Sequence, residues 1–425
     1  MKLVQLAGSY FLGTEAFVSS NSMRATVVLK EKLNNKKLVQ SYKKLILENR
    51  LLQTKVIEYP EKNKFEWGRF SLKELEQLLN FEERNLSEKY DKDTLLKEYY
   101  PTNTRLPFNI AVVDEYTIVI SMNHIVANGR CLVFWIQKLL QQYEENESQS
   151  IGEQPPNMDF WQGFSCRLKR FMAFLWLPVF LTDFICKAGK NAGKDIVDLS
   201  YGKTPVKSNN YATKAYSFGK ADTQNLLLLC KAKKMTLTEY ICERLVNGLF
   251  EHVPDKKRIV ISMPMDIHSF SPYSPETTYG NLIASLPAQF FRGRAIDKQV
   301  KSVFRWFKRG LPYSLSCLAA AVSMSYEKVK IQWLDQSKKP IPERSPLGDF
   351  SLTYSNLGVI SYPVMERLVD SIYFSFKSQS ILLVSSTISG KLYMKLSISK
   401  DLYHADEVFK LFDQILSIEC LQNLK

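Results

Sequence analysis

The spacing of apolar positions changes along the chain, and the changes mark its elements. RATVVL (Arg24–Leu29) is a β-branched run that predicts a strand, followed by a helix from about Asn35 to Asn49. LLQTKVIEY (Leu51–Tyr59) reads as a returning strand and YTIVISMNH (Tyr116–His124) as a second, buried one. A short turn then leads into RCLVFWIQKLLQQYEE, whose apolar residues recur at helical spacing. Residues 146–157, with two prolines, read as a loop, and residues 187–215, carrying Gly, Lys and Asn, as the crossover between two halves.

The second half alternates in the same way. Strand YATKAYSF and helix ADTQNLLLLCKAKK precede a second helix, TLTEYICERLVNGLFEH, with Thr236 or Thr238 as its N-cap. KRIVISMPMD predicts a strand, followed by a loop to YGNLIASLPAQF and a helical region over 296–330. FSLTYSNLG then precedes a hairpin-like pair at 371–378 and 381–388, with a strand at 391–398 and a helix at 405–419 after it. Strands and helices alternate throughout, so the class is α/β or α+β.

A chain of 425 residues, 45% hydrophobic and 24% charged, is a globular protein of two or three domains or two lobes around a cleft. The crossover divides it into an N-terminal lobe, 1–186, and a C-terminal lobe, 187–425. Lys and Arg exceed Asp and Glu by 57 to 43, giving a net charge of +14 that favours anionic partners. That charge is diffuse and no nucleic-acid module accompanies it, so nucleic acid is not an expected partner. The Lys-rich patches at 231–234 and 256–257 read as solvated faces, and GKNAGKD (Gly189–Asp195) lacks the spacing and the Ser/Thr of a phosphate loop.

Seven cysteines at wide spacings, with no Cys-x-x-Cys, read as reduced thiols in a cytosolic chain rather than a disulfide frame or a zinc site. Met1 to Gly13 lacks a clean apolar core, so no secretory signal is expected. In 160–186, Phe160, Trp161, Phe164, Leu168, Phe171, Met172 and Leu175 fall on one helical face. Arg167, Lys169 and Arg170 lie off it, and Pro178 and Asp183 interrupt the run, which is too short for a membrane span of about 20 residues. Two readings stand: a basic amphipathic helix at a membrane interface, or a helix covering the cleft between the lobes.

Of four histidines, His124 ends a predicted buried strand in MNHIVANG, where a base is held rigidly next to a turn. NHIVANG resembles the His-His-x-x-x-Asp-Gly signature of the condensation-type, CoA-dependent acyltransferases. That superfamily includes chloramphenicol acetyltransferase, nonribosomal peptide synthetase condensation domains, wax ester synthases and alcohol acetyltransferases. The resemblance continues in order over nearly the whole chain. The strand–helix–strand at Arg24–Tyr59 is similar to the opening of these enzymes, with NRLLQTKVIE in place of their His-Pro-x-Leu-Arg segment. Residues 216–250 resemble their second-lobe helix pair, MPMDIH their Pro-Val-x-x-Arg strand end, YGNLIASLP their Gly-Asn loop and TYSNLG their Ser-Asn-x-Gly strand.

The resemblance implies two chloramphenicol-acetyltransferase-like lobes, each a mixed sheet flanked by helices, with a tunnel between them and His124 midway. It makes His124 the catalytic base, with Asn123 in the place of the first histidine and Gly129 as the glycine that allows the backbone turn. Asn128 stands where the family has aspartate, and His268 where it has the strand-end arginine. Since losing one partner of a buried ion pair costs about 3–5 kcal/mol, a joint replacement predicts a neutral Asn128–His268 hydrogen bond. The other reading leaves His268 in a loop. Ser355, Asn356, Tyr279 and Asn281 are the implied substrate-lining residues.

The implied activity is transfer of an acyl group from acyl-CoA or an acyl-carrier protein, as co-substrate, to a hydroxyl or amine acceptor. O-acylation of a hydrophobic alcohol by a monomeric enzyme is the favoured form, with no permanently bound cofactor and no metal. The alternative is a catalytically inactive relative that binds a lipid, CoA or a carrier protein. The expected location is cytoplasmic, with peripheral membrane contact through 160–186.

Overall fold

Two larger sheets with helices packed against them, and a small two-stranded one, organise the described residues. The computed structural model describes residues 22–59, 64–87, 104–145, 160–188, 195–200, 210–270, 283–321, 351–376 and 381–417. Its first part runs β1 (Ser22–Leu29), α1 (Asn35–Glu48), β2 (Thr54–Tyr59), β3 (Lys64–Arg69), α2 (Leu72–Ser87), β4 (Phe108–Val112), β5 (Thr117–Asn123) and α3 (Gly129–Glu144). A helical pair follows, α4 (Phe160–Leu175) and α5 (Leu177–Ala188). Next come β6 (Tyr211–Phe218), α6 (Lys220–Ala232), α7 (Leu237–His252), β7 (Arg258–Asp266), β8 (Ile283–Phe291), α8 (Ile296–Lys308) and α9 (Leu311–Ala321). The last elements are β9 (Leu352–Ile360), α10 (Pro363–Leu368), β10 (Val369–Phe376), β11 (Leu382–Ile388), β12 (Lys391–Ser399) and α11 (Ala405–Leu416).

The first sheet has the order β10-β1-β5-β4 and is antiparallel throughout. The second, β6-β12-β11-β9-β7-β8, is the mixed one, with β9 parallel to both β11 and β7. Over the first sheet, Leu38, Tyr42 and Ile46 of α1 and Leu132, Trp135 and Ile136 of α3 bury the face carrying Ala25, Val27, Ile118 and Ile120. Over the second, Ile241, Leu245 and Leu249 of α7 and Phe412 of α11 cover Ile259, Ile261, Leu383 and Leu396. Thr236 is the N-cap of α7, in a capping box with Glu239, which decides between the two threonines.

Three expectations need correction. Leu51 and Leu52 are buried in a 3-10 turn, Arg50–Gln53, and the strand begins only at Thr54, whose Oγ1 donates to the Leu51 carbonyl at 2.5 Å. The runs at 371–378 and 381–388 are not a hairpin, since β10 pairs with β1 while β11 lies between β9 and β12. Every residue of β11 is buried, so it needs a neighbour strand on each side. Its hairpin partner is β12, reached through Ser389 and Gly390 at φ of 50° and 76°, the left-handed pair that a two-residue turn uses.

The third correction follows from the second. β10 lies within 187–425 yet completes the first sheet, and Ile360, Val364, Met365 and Ile372 join the first core. Residues Leu382, Val384, Ile388 and Tyr393 of the second sheet pack into that same core. The cut at 186/187 therefore leaves out a strand that the C-terminal segment returns to the first sheet. Tyr373 of β10 meets Tyr393 of β12 edge-on at 5.2 Å, and Tyr393 Oη donates to the Asp370 carbonyl at 2.7 Å.

Candidate active site

The end of β5 turns sharply, and that turn presents His124. The Asn123 carbonyl accepts from Val126 N–H at 3.2 Å, and Asn123 Oδ1 accepts from Ile125 N–H at 2.9 Å. Asn123 thus shapes the turn with its own side chain. His124 Nδ1 lies 2.9 Å from the Ala127 carbonyl, an acceptor only, so Nδ1 carries the proton and the basic lone pair is on Nε2. The ring is 3% exposed and Phe376 of β10 stands edge-on to it at 4.7 Å. Burial pulls its pKa from 6.5 to about 4, outweighing the opposing hydrogen bonds, and the ring is neutral at pH 7.

Immediately after the turn, Asn128 caps α3. Its Oδ1 accepts from the N–H groups of Arg130 and Cys131 at 3.0 and 3.1 Å. Its Nδ2 stands 3.2 Å from His268 Nδ1 and 3.3 Å from Asp266 Oδ1. Asn128 and His268 are therefore in contact, and His268, which lies beyond the end of β7 at the start of a 3-10 turn, His268–Phe270, is buried. The pair is not the neutral two-residue bond expected from the sequence. Asp266 Oδ1 lies 2.5 Å from His268 Nδ1 and also accepts from the His268 backbone N–H at 2.9 Å.

Burial pushes the Asp266 carboxyl up, but the His268 hydrogen bond and the His268 and Arg130 charges outweigh it and hold it below its usual value. Arg130 Nε, on a largely exposed side chain, approaches Asp266 Oδ2 at 3.6 Å. Sequence reasoning missed Asp266 and Arg130. The available signal was the short spacing in MPMDIH: Asp266 ends β7 and His268 opens the 3-10 turn two residues later, close enough for the carboxylate to reach both the backbone N–H and the ring of His268.

Gly129, the first residue of α3, is not at positive φ, so it is not needed for the turn. It is needed for space: a Cβ there would lie 2.6 Å from Leu357 Cδ2. Leu357 reaches α3 because β9 is bulged. Asn356 pairs with Ser385 and Val359 with Thr387, leaving Leu357 and Gly358 opposite Ser386 alone. Gly358 takes φ +77°, its N–H donates to Asn356 Oδ1 at 2.8 Å, and Asn356 Nδ2 donates to Thr238 Oγ1 at 2.6 Å. Asn356 is thus a clamp on the bulge, with both ends of its amide engaged. Ser355 is half-buried beside it, in register with Val384.

No protein-family model and no curated protein matches the sequence, whereas many solved structures match the fold. The first condensation domain of the calcium-dependent antibiotic synthetase superposes with a TM-score of 0.62 at 11% identity, over 98% of this chain and 95% of that one. The epimerization domain from the third module of tyrocidine synthetase B gives 0.61 at 10% identity, over 97% and 95%. Polyketide synthase associated protein 5 from Mycobacterium tuberculosis gives 0.60 at 11% identity, over 96% of each chain. The chain has the condensation-domain fold.

Within this condensation fold, Tyr279 and Asn281 lie outside the described residues. Among the described residues no three His, Cys, Asp or Glu side chains gather as a metal site, and no helix is long and apolar enough to cross a membrane. The expected amphipathic run is two helices, broken at Trp176 before Pro178. Among the residues whose burial is described, Ala173, Leu177 and Phe180 are buried, while Leu168, Phe171, Met172 and Leu175, part of the apolar stripe, are exposed together with Phe174 and Val179. Arg170 Nε donates to the Phe270 carbonyl at 2.5 Å and ties α4 to the segment after β7.

Proposed function

We propose that the protein is an acyltransferase that moves an acyl group from a thioester, acyl-CoA or an acyl-carrier protein, to a hydroxyl or amine acceptor. The observation that carries this reading is the His124 tautomer. With Nδ1–H committed to Ala127, Nε2 is the atom able to take a proton, at the rigid end of a buried strand. His124 Nε2 removes the acceptor proton as the acceptor oxygen or nitrogen attacks the thioester carbonyl. The tetrahedral intermediate collapses with cleavage of the C–S bond, and the imidazolium returns the proton to the departing thiolate. The buried surroundings favour the neutral imidazole at the start of this cycle.

On this reading both substrates must reach Nε2 through an opening along the seam between the lobes, the course of the expected tunnel, because His124 itself is only 3% exposed. Ser355 is the preferred β9 residue for lining it, because the Asn356 amide is engaged in the bulge. A hydrophobic alcohol is the favoured acceptor, and the exposed Phe171, Phe174 and Leu175 beside Arg167 and Lys169 are the surface for an anionic membrane from which it is drawn.

A panel of acyl-CoAs offered with and without alcohols, followed by thiol release, tests the activity. Acceptor-dependent release that falls by about 10²–10⁴ in His124→Ala supports it, as expected for loss of a general base. Release unchanged in that variant removes His124 from the mechanism. A second reading, an inactive binder of a lipid, CoA or carrier protein, is favoured by the 3% exposure of the ring, and predicts ligand binding without turnover.

A further inference from the structure

A cavity of about 330 Å³ lies between the edge strand β8, α8 and Phe180 of α5. This is near the lower end of the roughly 300–1,000 Å³ typical of small-molecule sites, room for one slender ligand. It shares no residue with the His124 turn or the Asn128–Asp266–His268 group. Its wall is apolar at Phe180, Leu286, Ala288, Val303 and Trp306, and Phe180 and Trp306 meet edge-on at 5.7 Å.

Two glutamines enter this wall and differ in one respect. Gln299 is fully used: its Oε1 accepts from Phe291 N–H and its Nε2 donates to the Phe291 carbonyl, each at 2.9 Å. Gln289 Oε1 and Nε2 are both buried and neither has a hydrogen-bond partner. A buried amide without a partner calls for one, and rotation of the Gln289 side chain toward the cavity it lines would supply it. The lining also holds two exposed cations, Arg294 and Lys298, and, among the described residues, no carboxylate.

We propose that this cavity binds a single acyl chain bearing an anionic head, a carboxylate or a phosphate. The chain lies against Phe180, Val303 and Trp306, the head meets Arg294 and Lys298, and the Gln289 amide hydrogen-bonds the polar end. The site stands apart from the acyltransferase reading, because its ligand is bound and not consumed.

The test is titration of the full chain with decanoate, decyl phosphate and decanol below their micellar concentrations, read by calorimetry and tryptophan fluorescence. Saturable binding of one molecule of an anionic amphiphile per chain is expected, with decanol at least ten-fold weaker and affinity falling with salt. The tighter of decanoate and decyl phosphate identifies the head. Lys298→Ala is expected to weaken binding at least five-fold and flatten its salt dependence. Ser302→Phe, which fills the cavity from the half-exposed face of α8, should abolish it, and Trp306→Phe should remove the fluorescence change while calorimetric binding persists. Absence of saturable binding, decanol binding as tightly as the anions, or affinity unchanged in both Lys298→Ala and Ser302→Phe overturns the proposal. Thiol release from acyl-CoA is scored separately, so failure here leaves the His124 reading to its own test.

Discussion

Leu357 of the second sheet occupies the space that a side chain on Gly129 would need, with Cδ2 2.6 Å from the position of that Cβ. The contact joins the bulge in β9 to the first turn of α3, one residue beyond the Asn128 cap. Gly129→Ala gains helix propensity but makes the Leu357 Cδ2 methyl, the far end of a flexible side chain, move aside, so the two effects are expected to cancel to within about 1 kcal/mol. A double-mutant cycle with Leu357→Ala, read by chemical denaturation, should show a coupling of about 0.5–1 kcal/mol. Strict additivity would mean the two residues do not press on each other.

Asn128 makes a charge-dependent prediction. Asn128→Asp sets a second carboxylate about 3 Å from Asp266. We expect a loss of about 2 kcal/mol at pH 7, shrinking toward pH 5 as one of the two carboxylates takes up a proton. Asn128→Asp/Asp266→Asn should recover most of it. Equal stability of the single variant and the parent protein at pH 7 would show that the two side chains do not share this site.

His124 links burial to pH. Its folded pKa of about 4 lies below the unfolded value of 6.5, the reverse of a histidine that gains an acidic partner. Above pH 6.5 both states are neutral and the ring adds no pH dependence. As pH falls from 6.5 to 4 the unfolded chain takes up the proton first, so stability declines by about 3 kcal/mol across that window and then levels. Urea titrations at pH 7 and 4.5 should show this decline in the parent protein and a smaller one in His124→Gln.

The exposed stripe on α4 and α5 predicts sedimentation with anionic vesicles. Phe171→Ser/Leu175→Ser should reduce the bound fraction at least ten-fold while leaving the thermal midpoint within about 2 °C, because both side chains already face solvent. High salt should weaken the parent's binding through Arg167 and Lys169. Equal binding of the serine variant would place the contact elsewhere.

The sequence by itself determined the local elements and the position of His124 at the end of β5. A β-branched run ending in NHIVANG, followed by an amphipathic helix, sufficed to locate His124, its turn and the helix beginning near Gly129, because the periods of strands and helices are set by the backbone. It also pointed to Asn128 and His268 as partners. What it did not contain was pairing between distant segments. Only the tertiary structure decided that β10 returns to β1, that a bulge aims Leu357 at Gly129, and that Asp266 adds a carboxylate to the Asn128–His268 contact. The same holds for α4, whose apolar stripe spans one helical face in the sequence although the packed chain buries Ala173 and leaves Phe171 and Leu175 outside. Periodicity shows which residues share a face, whereas the neighbours available in three dimensions decide which face is covered.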